Sequence, residues 1–142
     1  MKIFLDTNII LDFLLKREPH YANAKKVFDM CLYKIDGFVT PHSLIDIFYI
    51  LSERSDAPIE YCRNTIQKLR TVLNVIEEND FRVHSAASNY EFSDFEDAMQ
   101  YESALFTDVD YIITRNSKDF EKSAIPVLSP ADFLLEITNN KS

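Results

Sequence analysis

The chain alternates short apolar runs with longer segments in which apolar residues recur every three to four positions. Short apolar runs between polar or turn-forming residues predict buried strands, whereas the longer spacing predicts amphipathic helices. The predicted strands are residues 2–5, 38–40, 73–76, 111–114 and 126–128. The predicted helices begin near Asn8, Pro19, His42, Pro58, Phe81, Asp94 and Pro130. This alternation predicts an α/β fold, namely a three-layer α/β/α sandwich with a central parallel sheet of four or five strands.

The organisation of the chain predicts a single domain. No internal repeat, low-complexity segment or long linker divides the 142 residues, so one domain is expected over 1–138, followed by a polar tail at 139–142. Apolar residues make up 46% and charged residues 27% of the chain, the balance of a globular protein. No segment is long enough to cross a bilayer, so no membrane association is expected. Cys31 and Cys62 lack partners at ligand spacing, which predicts packing roles and a reducing, cytoplasmic location.

Charge and glycine content exclude several function classes. The formal net charge of −8 argues against a broad basic face for nucleic acid, because phosphate contacts need Lys and Arg. It leaves open an enzyme that meets a phosphodiester through bound cations, which clustered carboxylates attract. Gly37 is the single glycine, and this excludes the glycine-rich loops that bind mononucleotide or dinucleotide phosphates.

Candidate chemistry lies where strands end and helices begin. Asp6 follows the first strand, and Thr7 and Asn8 can cap the next helix, which leaves Asp6 free for another task, although Asp6 could itself be a cap. Asp46 lies in a helix that is apolar nearly all round and is therefore predicted to be buried. An unpaired carboxylate there costs several kcal/mol, so Asp46 is expected to bind a cation, accept hydrogen bonds or turn one edge toward water.

A third acidic segment opens the helix near Asp94. Its acids could simply favour the positive end of the helix dipole, with Asp94 as the N-cap and Asp97 as its capping-box partner. Helical spacing nevertheless predicts that Asp97 is on the inward side and that Glu96 and Gln100 face solvent. The inward face is predicted to comprise Ala98, Tyr101, Ala104 and Leu105.

A further polar segment, from Arg115 to Asp119, follows the fourth predicted strand. Carboxyl ends of parallel strands share one edge of a sheet, and ligands bind there. Aspartates gathered at this edge repel one another unless a cation neutralises them, and Mg²⁺ or Mn²⁺ suits such oxygen ligands. The three histidines, His20, His42 and His84, are too scattered along the sequence to predict a zinc site.

With these motifs in order, the chain resembles the PIN-domain family, the nuclease fold that includes VapC-type toxins. The resemblance covers almost the whole chain. It is carried by four segments: FLDTNI at 4–9, SLID at 43–46, DFEDA at 94–98 and IITRNSKDF at 112–120. It implies a PIN-like sandwich, a metal-dependent endoribonuclease acting on RNA, a homodimer, and inhibition by a small antitoxin protein.

The resemblance also implies roles for individual residues. Asp6, Asp46, Asp97 and a fourth acid near Asp119 would be catalytic and hold Mg²⁺ or Mn²⁺, with Asp6 and Asp97 as the chief ligands. Three further residues would orient Asp6 or bind substrate, or be structural; they are Asn8, Arg115 and Asn116. Many relatives carry Glu in place of Asp46 and an acid in place of Asn116, so Asp119 and Asn116 compete for the fourth position.

Three other functions are consistent with parts of the sequence. A phosphatase could use Asp6 as nucleophile, but such enzymes usually need a second acid two residues on, where Asn8 stands. A receiver-type signalling domain needs its aspartate after an internal strand, which the sequence does not indicate. A PIN-like binding module without activity is favoured only by the departures at Asp46 and Asn116.

Overall fold

A computed structural model describes residues 1–141 of the chain. The strands are β1 (Lys2–Leu5), β2 (Asp36–Val39), β3 (Asn74–Val75), β4 (Tyr111–Ile113) and β5 (Val127–Leu128). The helices are α1 (Thr7–Leu14), α2 (Tyr21–Tyr33), α3 (Pro41–Arg54), α4 (Ile59–Val72), α5 (Asp80–Ala87), α6 (Phe95–Thr107) and α7 (Pro130–Asn139). A 3₁₀ turn at Ser117–Phe120 was not predicted. The five strands form one parallel sheet in the order β3-β2-β1-β4-β5, which confirms the predicted fold class.

Alternating side chains of β1 divide the core into two layers. Ile3 and Leu5 are fully buried against α1, α2, α3, α4 and α7, whereas Phe4 is buried against α5, α6 and the 3₁₀ turn. Successive strand residues point to opposite faces, so a strand covered on both sides is apolar at every position. The helices therefore lie on both faces of the sheet, as predicted.

Most helix boundaries follow capping chemistry visible in the sequence. Thr40 caps α3 ahead of Pro41, and Ser129 caps α7 ahead of Pro130. The start predicted at Pro19 is wrong by two residues, because a turn in which the His20 N–H donates to the Arg17 carbonyl precedes α2. The last helix runs to Asn139, so the predicted polar tail begins inside it.

Gly37 lies in β2, where α2 approaches the sheet closely. A Cβ atom at Gly37 would lie 2.7 Å from the Cys31 Sγ and 2.8 Å from the Leu73 Cδ2. Cys31 and Cys62 are both buried and unpaired, which confirms the predicted packing roles. Within residues 1–141, no helix is both long and apolar enough to span a bilayer.

Strand order reverses beside β1, which is the central strand. The chain moves from β1 outward through β2 to β3, then crosses back to β4 on the other side of β1. A crevice therefore opens beyond the carboxyl ends of β1 and β4. Asp6 follows β1, which is an internal strand. The prediction that no aspartate follows an internal strand, which argued against a receiver-type domain, is therefore wrong.

Candidate active site

An open groove of about 810 Å³ lies at the carboxyl ends of β1 and β4. Eight carboxylates and two lysines line it; they are Asp6, Asp46, Glu91, Asp94, Glu96, Asp97, Asp119 and Glu121, with Lys118 and Lys122. Opposite charges do not balance here, because the acids outnumber the lysines fourfold. The groove is therefore strongly negative and attracts cations.

Asp6 is held at the base of the groove by β4. Its N–H donates to the Ile113 carbonyl at 3.0 Å, and its carboxylate accepts a hydrogen bond from the Thr114 hydroxyl at 2.7 Å. Asp6 itself occupies the N-cap position of α1, which corrects the prediction that Thr7 or Asn8 is the cap. Its side chain makes no capping hydrogen bond, so the carboxylate remains directed to the groove.

Asp97 lies in the first turn of α6, where its N–H donates to the Asp94 carboxylate at 3.0 Å. Asp94 is thus the helix cap, as predicted. Burial raises the pKa of Asp97 to about 7, and the charges of Asp94, Asp119, Asp6 and Glu96 contribute to the rise in that order. In the absence of a cation, Asp97 is therefore partly protonated near neutral pH.

The charge of Asp119 also acts on Asp6. Burial is the main cause that raises the pKa of Asp6, the Thr114 hydroxyl opposes it, and the Asp119 charge adds to the rise. Asp119 is exposed in the 3₁₀ turn that follows β4. Asp6, Asp97 and Asp119, which are distant in sequence, thus meet closely enough to perturb one another electrostatically.

Asp46 faces the groove from α3 on the other side. Its side chain is 35% exposed, and Tyr49 on the same helix is 54% exposed. The prediction that this helix is buried all round is therefore wrong, because Ile45 and Tyr49 are surface residues despite being apolar. His42 Nε2 lies 3.4 Å from the Asp46 carboxylate and 3.6 Å from that of Glu96.

A buried hydroxyl network, which the sequence reasoning missed, connects the elements that carry these acids. The Thr7 and Ser43 hydroxyl oxygens lie 2.7 Å apart, and the Thr40 hydroxyl lies 3.1 Å from that of Ser43. Thr7 follows β1 and Thr40 follows β2, so the network fixes the starts of α1 and α3 relative to each other. Hydroxyl residues within two positions of the ends of two strands were the available signal.

Gln100 corrects the predicted face of α6. It is 3% exposed instead of facing solvent, and its amide nitrogen lies 3.5 Å from the Thr7 hydroxyl. Leu105, predicted to point inward, is exposed. The predicted positions of Ala98, Tyr101 and Ala104 are confirmed, because all three are buried. Compared with the predicted face, the inward face of α6 is therefore rotated toward the groove and includes the polar residue Gln100.

The other predicted site residues divide into two groups. Asn8 and Asn116 line the groove with the aspartates. Arg115 does not line it, which corrects the expectation that it meets phosphate there. Its guanidinium donates to the fully buried Asp12 carboxylate through Nε at 2.6 Å and Nη2 at 3.2 Å.

The donor atoms of the groove fit a divalent cation that prefers oxygen. Carboxylates of Asp6, Asp97 and Asp119 supply negative oxygen ligands, as Mg²⁺ and Mn²⁺ require. Within residues 1–141, none of the three forms an ion pair with a lysine or arginine. Gln100 adds a buried Oε1 atom that has no hydrogen-bond partner. Uncompensated charge and an unused acceptor are both features that a bound cation would resolve.

Solved structures of known proteins share this fold. VapBC-1 from nontypeable Haemophilus influenzae matches with a TM-score of 0.69 and 19% identity, over 92% of this chain and 99% of that one. A toxin–antitoxin complex from Klebsiella pneumoniae matches with a TM-score of 0.67 and 21% identity, over 90% and 97%. VapC20 from Mycobacterium tuberculosis, described as a sarcin–ricin loop cleaving toxin, matches with a TM-score of 0.62 and 16% identity, over 78% and 86%.

Sequence comparison identifies the family. No curated protein matches the chain significantly. A family model described as the PIN domain matches residues 2–118, a stretch that contains all four predicted segments except the last two residues of the fourth. The chain belongs to the PIN-domain family.

Proposed function

We propose that this protein is a divalent-metal-dependent endoribonuclease that hydrolyses RNA phosphodiester bonds. The observation that carries the proposal is the mutual electrostatic influence of Asp6, Asp97 and Asp119 in one open groove. Because the pKa of Asp97 is raised to about 7, this residue is fully ionised at neutral pH only beside a positive charge, which favours a bound cation. The PIN-domain match and the likeness to a toxin described as cleaving RNA support the same class of reaction.

In this proposal, Asp6, Asp97 and Asp119 hold Mg²⁺ or Mn²⁺. Such a cation would supply positive charge to the phosphoryl oxygens and would lower the pKa of a bound water. Asp46, on the opposite side, orients the attacking water or a second ion. Thr114 keeps the Asp6 carboxylate in place through its hydrogen bond, and the Thr7–Ser43 hydroxyl contact keeps α1 and α3 in register.

Other lining residues contact the RNA chain in this proposal. Lys118 and Lys122 are at the edge of the groove, where they bind phosphates flanking the cleaved bond. Tyr49 is exposed on the α3 side and offers a ring for base stacking. Asn8 and Asn116 offer amide groups to the sugar–phosphate backbone. The openness of the groove favours a single-stranded segment or loop as substrate.

The test is RNA cleavage with matched variants. Purified protein is incubated with single-stranded and stem-loop RNA in Mg²⁺, Mn²⁺ or EDTA. Asp6→Asn and Asp97→Asn are expected to reduce the rate at least about 100-fold, and EDTA to abolish cleavage. Asp132→Asn is the matched control, because Asp132 lies in α7 at the position equivalent to Asp97, three residues after the capping Ser129, but outside the groove.

Each alternative function has its own outcome in this experiment. Cleavage that survives EDTA and both groove variants overturns the metal-nuclease proposal. Metal binding without cleavage of any RNA favours a binding module of the same fold. A phosphorylated Asp6, trapped after incubation with a phosphate ester, identifies a phosphatase instead.

We further propose an antitoxin-type protein partner. The solved structures similar to this chain include toxin–antitoxin complexes. A second, apolar groove lies between α3 and α4, where exposed Ile45 and Tyr49 face Arg63 and Arg70. Tyr49 also lines the acidic groove, so an acidic, apolar segment bound here would reach the site. Coexpression with the product of an adjacent small gene is expected to yield a complex, and Arg63→Glu with Arg70→Glu to prevent it.

Two further expectations remain proposals. A homodimer is expected because exposed aromatic side chains, Phe81 and Phe106, lie on the packed pair α5 and α6. Light scattering after size-exclusion chromatography measures it directly. A cytoplasmic location is expected from the two unpaired cysteines.

A further inference from the structure

A second group of potential metal ligands lies at the rim of the acidic groove. His42 and Asp46 are four residues apart on α3 and share one face, and Glu96 approaches them from the first turn of α6. One ligand atom from each residue lies within 4.8 Å of the others. The sequence spacing of the histidines gave no indication of this group, because the fold brings α6 against the face of α3 that carries His42.

The two distances from His42 match those between ligands of one ion. His42 Nε2 lies 3.4 Å from the Asp46 Oδ2 and 3.6 Å from the Glu96 Oε1. Zinc bonds to nitrogen and oxygen are roughly 2.0–2.2 Å long, so atoms at such separations subtend roughly 110–120° at the ion. This angle is near that of a tetrahedral site. Three protein ligands leave the fourth position to water or to a group of the substrate.

The charges in the group suit a divalent ion. Two carboxylates from different helices share the group with one imidazole. Within residues 1–141, neither carboxylate has a lysine or arginine partner. A divalent ion would neutralise both and use the imidazole nitrogen as its third ligand.

We propose that His42, Asp46 and Glu96 form a site for a divalent transition-metal ion of the Zn²⁺ type, separate from the Asp6–Asp97–Asp119 site. Imidazole nitrogen suits Zn²⁺, Cu²⁺ and Ni²⁺, whereas Mg²⁺ prefers oxygen ligands and retains its waters. The new site therefore selects against Mg²⁺. The new site takes Asp46 as a ligand, so the inference rests on the proposed function, which places the other metal at Asp6, Asp97 and Asp119. Cation binding at the new site is nevertheless measured without RNA.

The experiment measures binding to chelator-stripped full-length protein. Zn²⁺ and Mg²⁺ are titrated by calorimetry, and the ring resonances of His42 are followed by NMR to locate the ion. Zn²⁺ is expected to shift the His42 signals at equimolar concentration, whereas Mg²⁺ leaves them unchanged. Co²⁺ serves as an optical probe, with visible absorption expected to indicate four-coordinate geometry.

Variants separate this site from the proposed catalytic one. His42→Ala and Glu96→Gln are each expected to weaken Zn²⁺ binding at least about tenfold. His84→Ala is the matched control, since His84 is an exposed histidine of α5 outside the groove. Asp97→Asn is expected to leave the Zn²⁺ shift of His42 intact.

The two proposals fail in different ways. Unshifted His42 signals in Zn²⁺, or Zn²⁺ affinity that is equal in the parent protein and His42→Ala, overturns the new site whatever the RNA assay shows. Intact Zn²⁺ binding at His42 together with EDTA-resistant RNA cleavage overturns the proposed catalytic metal alone. Circular dichroism of His42→Ala verifies that any loss of binding is not a loss of folding.

Discussion

The buried ion pair between Asp12 and Arg115 provides a demanding test of the fold. Asp12 lies in α1 and is fully buried, and it accepts two hydrogen bonds from Arg115, which follows β4. Arg17 offers a weaker contact, with its Nη1 atom 3.8 Å from the Asp12 carboxylate. The pair fixes the start of the loop that carries Asn116 and Asp119 into the groove. The perturbation is Arg115→Met, which retains much of the length of the side chain and removes its charge.

The expected cost of Arg115→Met is large because it leaves a buried carboxylate without its main partner. Removal of one member of a buried pair destabilises a protein by about 3–5 kcal/mol. Contact with Arg17 places the expected value toward the lower end. Asp12→Asn instead leaves Arg115 without its charged partner. This change costs less, because the Arg115 side chain is 27% exposed and can turn to water. Its expected cost is about 1–3 kcal/mol.

Urea denaturation monitored by circular dichroism gives the free energy of unfolding for each variant. The double variant Asp12→Leu with Arg115→Met is expected to recover much of the loss, because it removes both charges together. Lys25→Met is the control, since Lys25 and Asp29 form an exposed pair at 2.8 Å, a class of contact whose loss has little effect on stability. The reasoning is refuted if Arg115→Met costs no more than Lys25→Met, or if the double variant is no more stable than Arg115→Met alone.

Three further predictions follow from other sites. Gly37→Ala is expected to lower the free energy of unfolding by about 1–3 kcal/mol, because the added Cβ overlaps Cys31 and Leu73. Adding Cys31→Ala is expected to recover part of this loss. An unchanged denaturation curve of Gly37→Ala would contradict the prediction. In chelator-treated protein, the raised pKa of Asp97, about 7 against 3.8 when unfolded, lowers stability as pH rises from about 4 to 7. Asp97→Asn is therefore expected to melt higher than the parent at about pH 8 and equally at about pH 3, below both pKa values; equal melting at both would exclude the shift. Burial raises the pKa of Cys31 to about 12, so a thiol reagent at about pH 8 is expected to modify this residue only after unfolding, and rapid labelling of the folded protein would be inconsistent with that.

The sequence predicted the bounds of a strand well where a change between apolar and polar residues marks its end. β1 has the predicted bounds because the apolar run at residues 3–5 is closed by Asp6, and this run is buried on both faces of the sheet. β3 is two residues shorter than predicted at 73–76, since the ends of an edge strand depend on which residues of β2 pair with it. Strand order was not predictable either, because it depends on the crossover from β3 to β4 and not on local pattern.

The site was predicted in part for the same reason. Aspartates at strand ends and helix starts meet because parallel strands end at one edge, which is a property of topology. The contact of Arg115 with Asp12 was not predictable, because Asp12 lies 103 residues away and nothing local indicates the pairing.

The misplaced residues themselves point to the site. Gln100 was assigned to solvent and the helix that carries Tyr49 to the interior, and both side chains line the groove in the opposite state. Stable folds place apolar residues inside and polar residues outside, and local departures from that rule are expected where function requires a polar interior or an apolar surface. Gln100 is buried because Thr7 and Asp6 provide polar neighbours, and Tyr49 is exposed where two grooves meet. A face assigned by polarity therefore fails first at the groove. In a helix such as α6, the polar and apolar positions do not fall on separate faces. This pattern can be read from the amino-acid sequence, and it is itself a sign that the helix borders the groove.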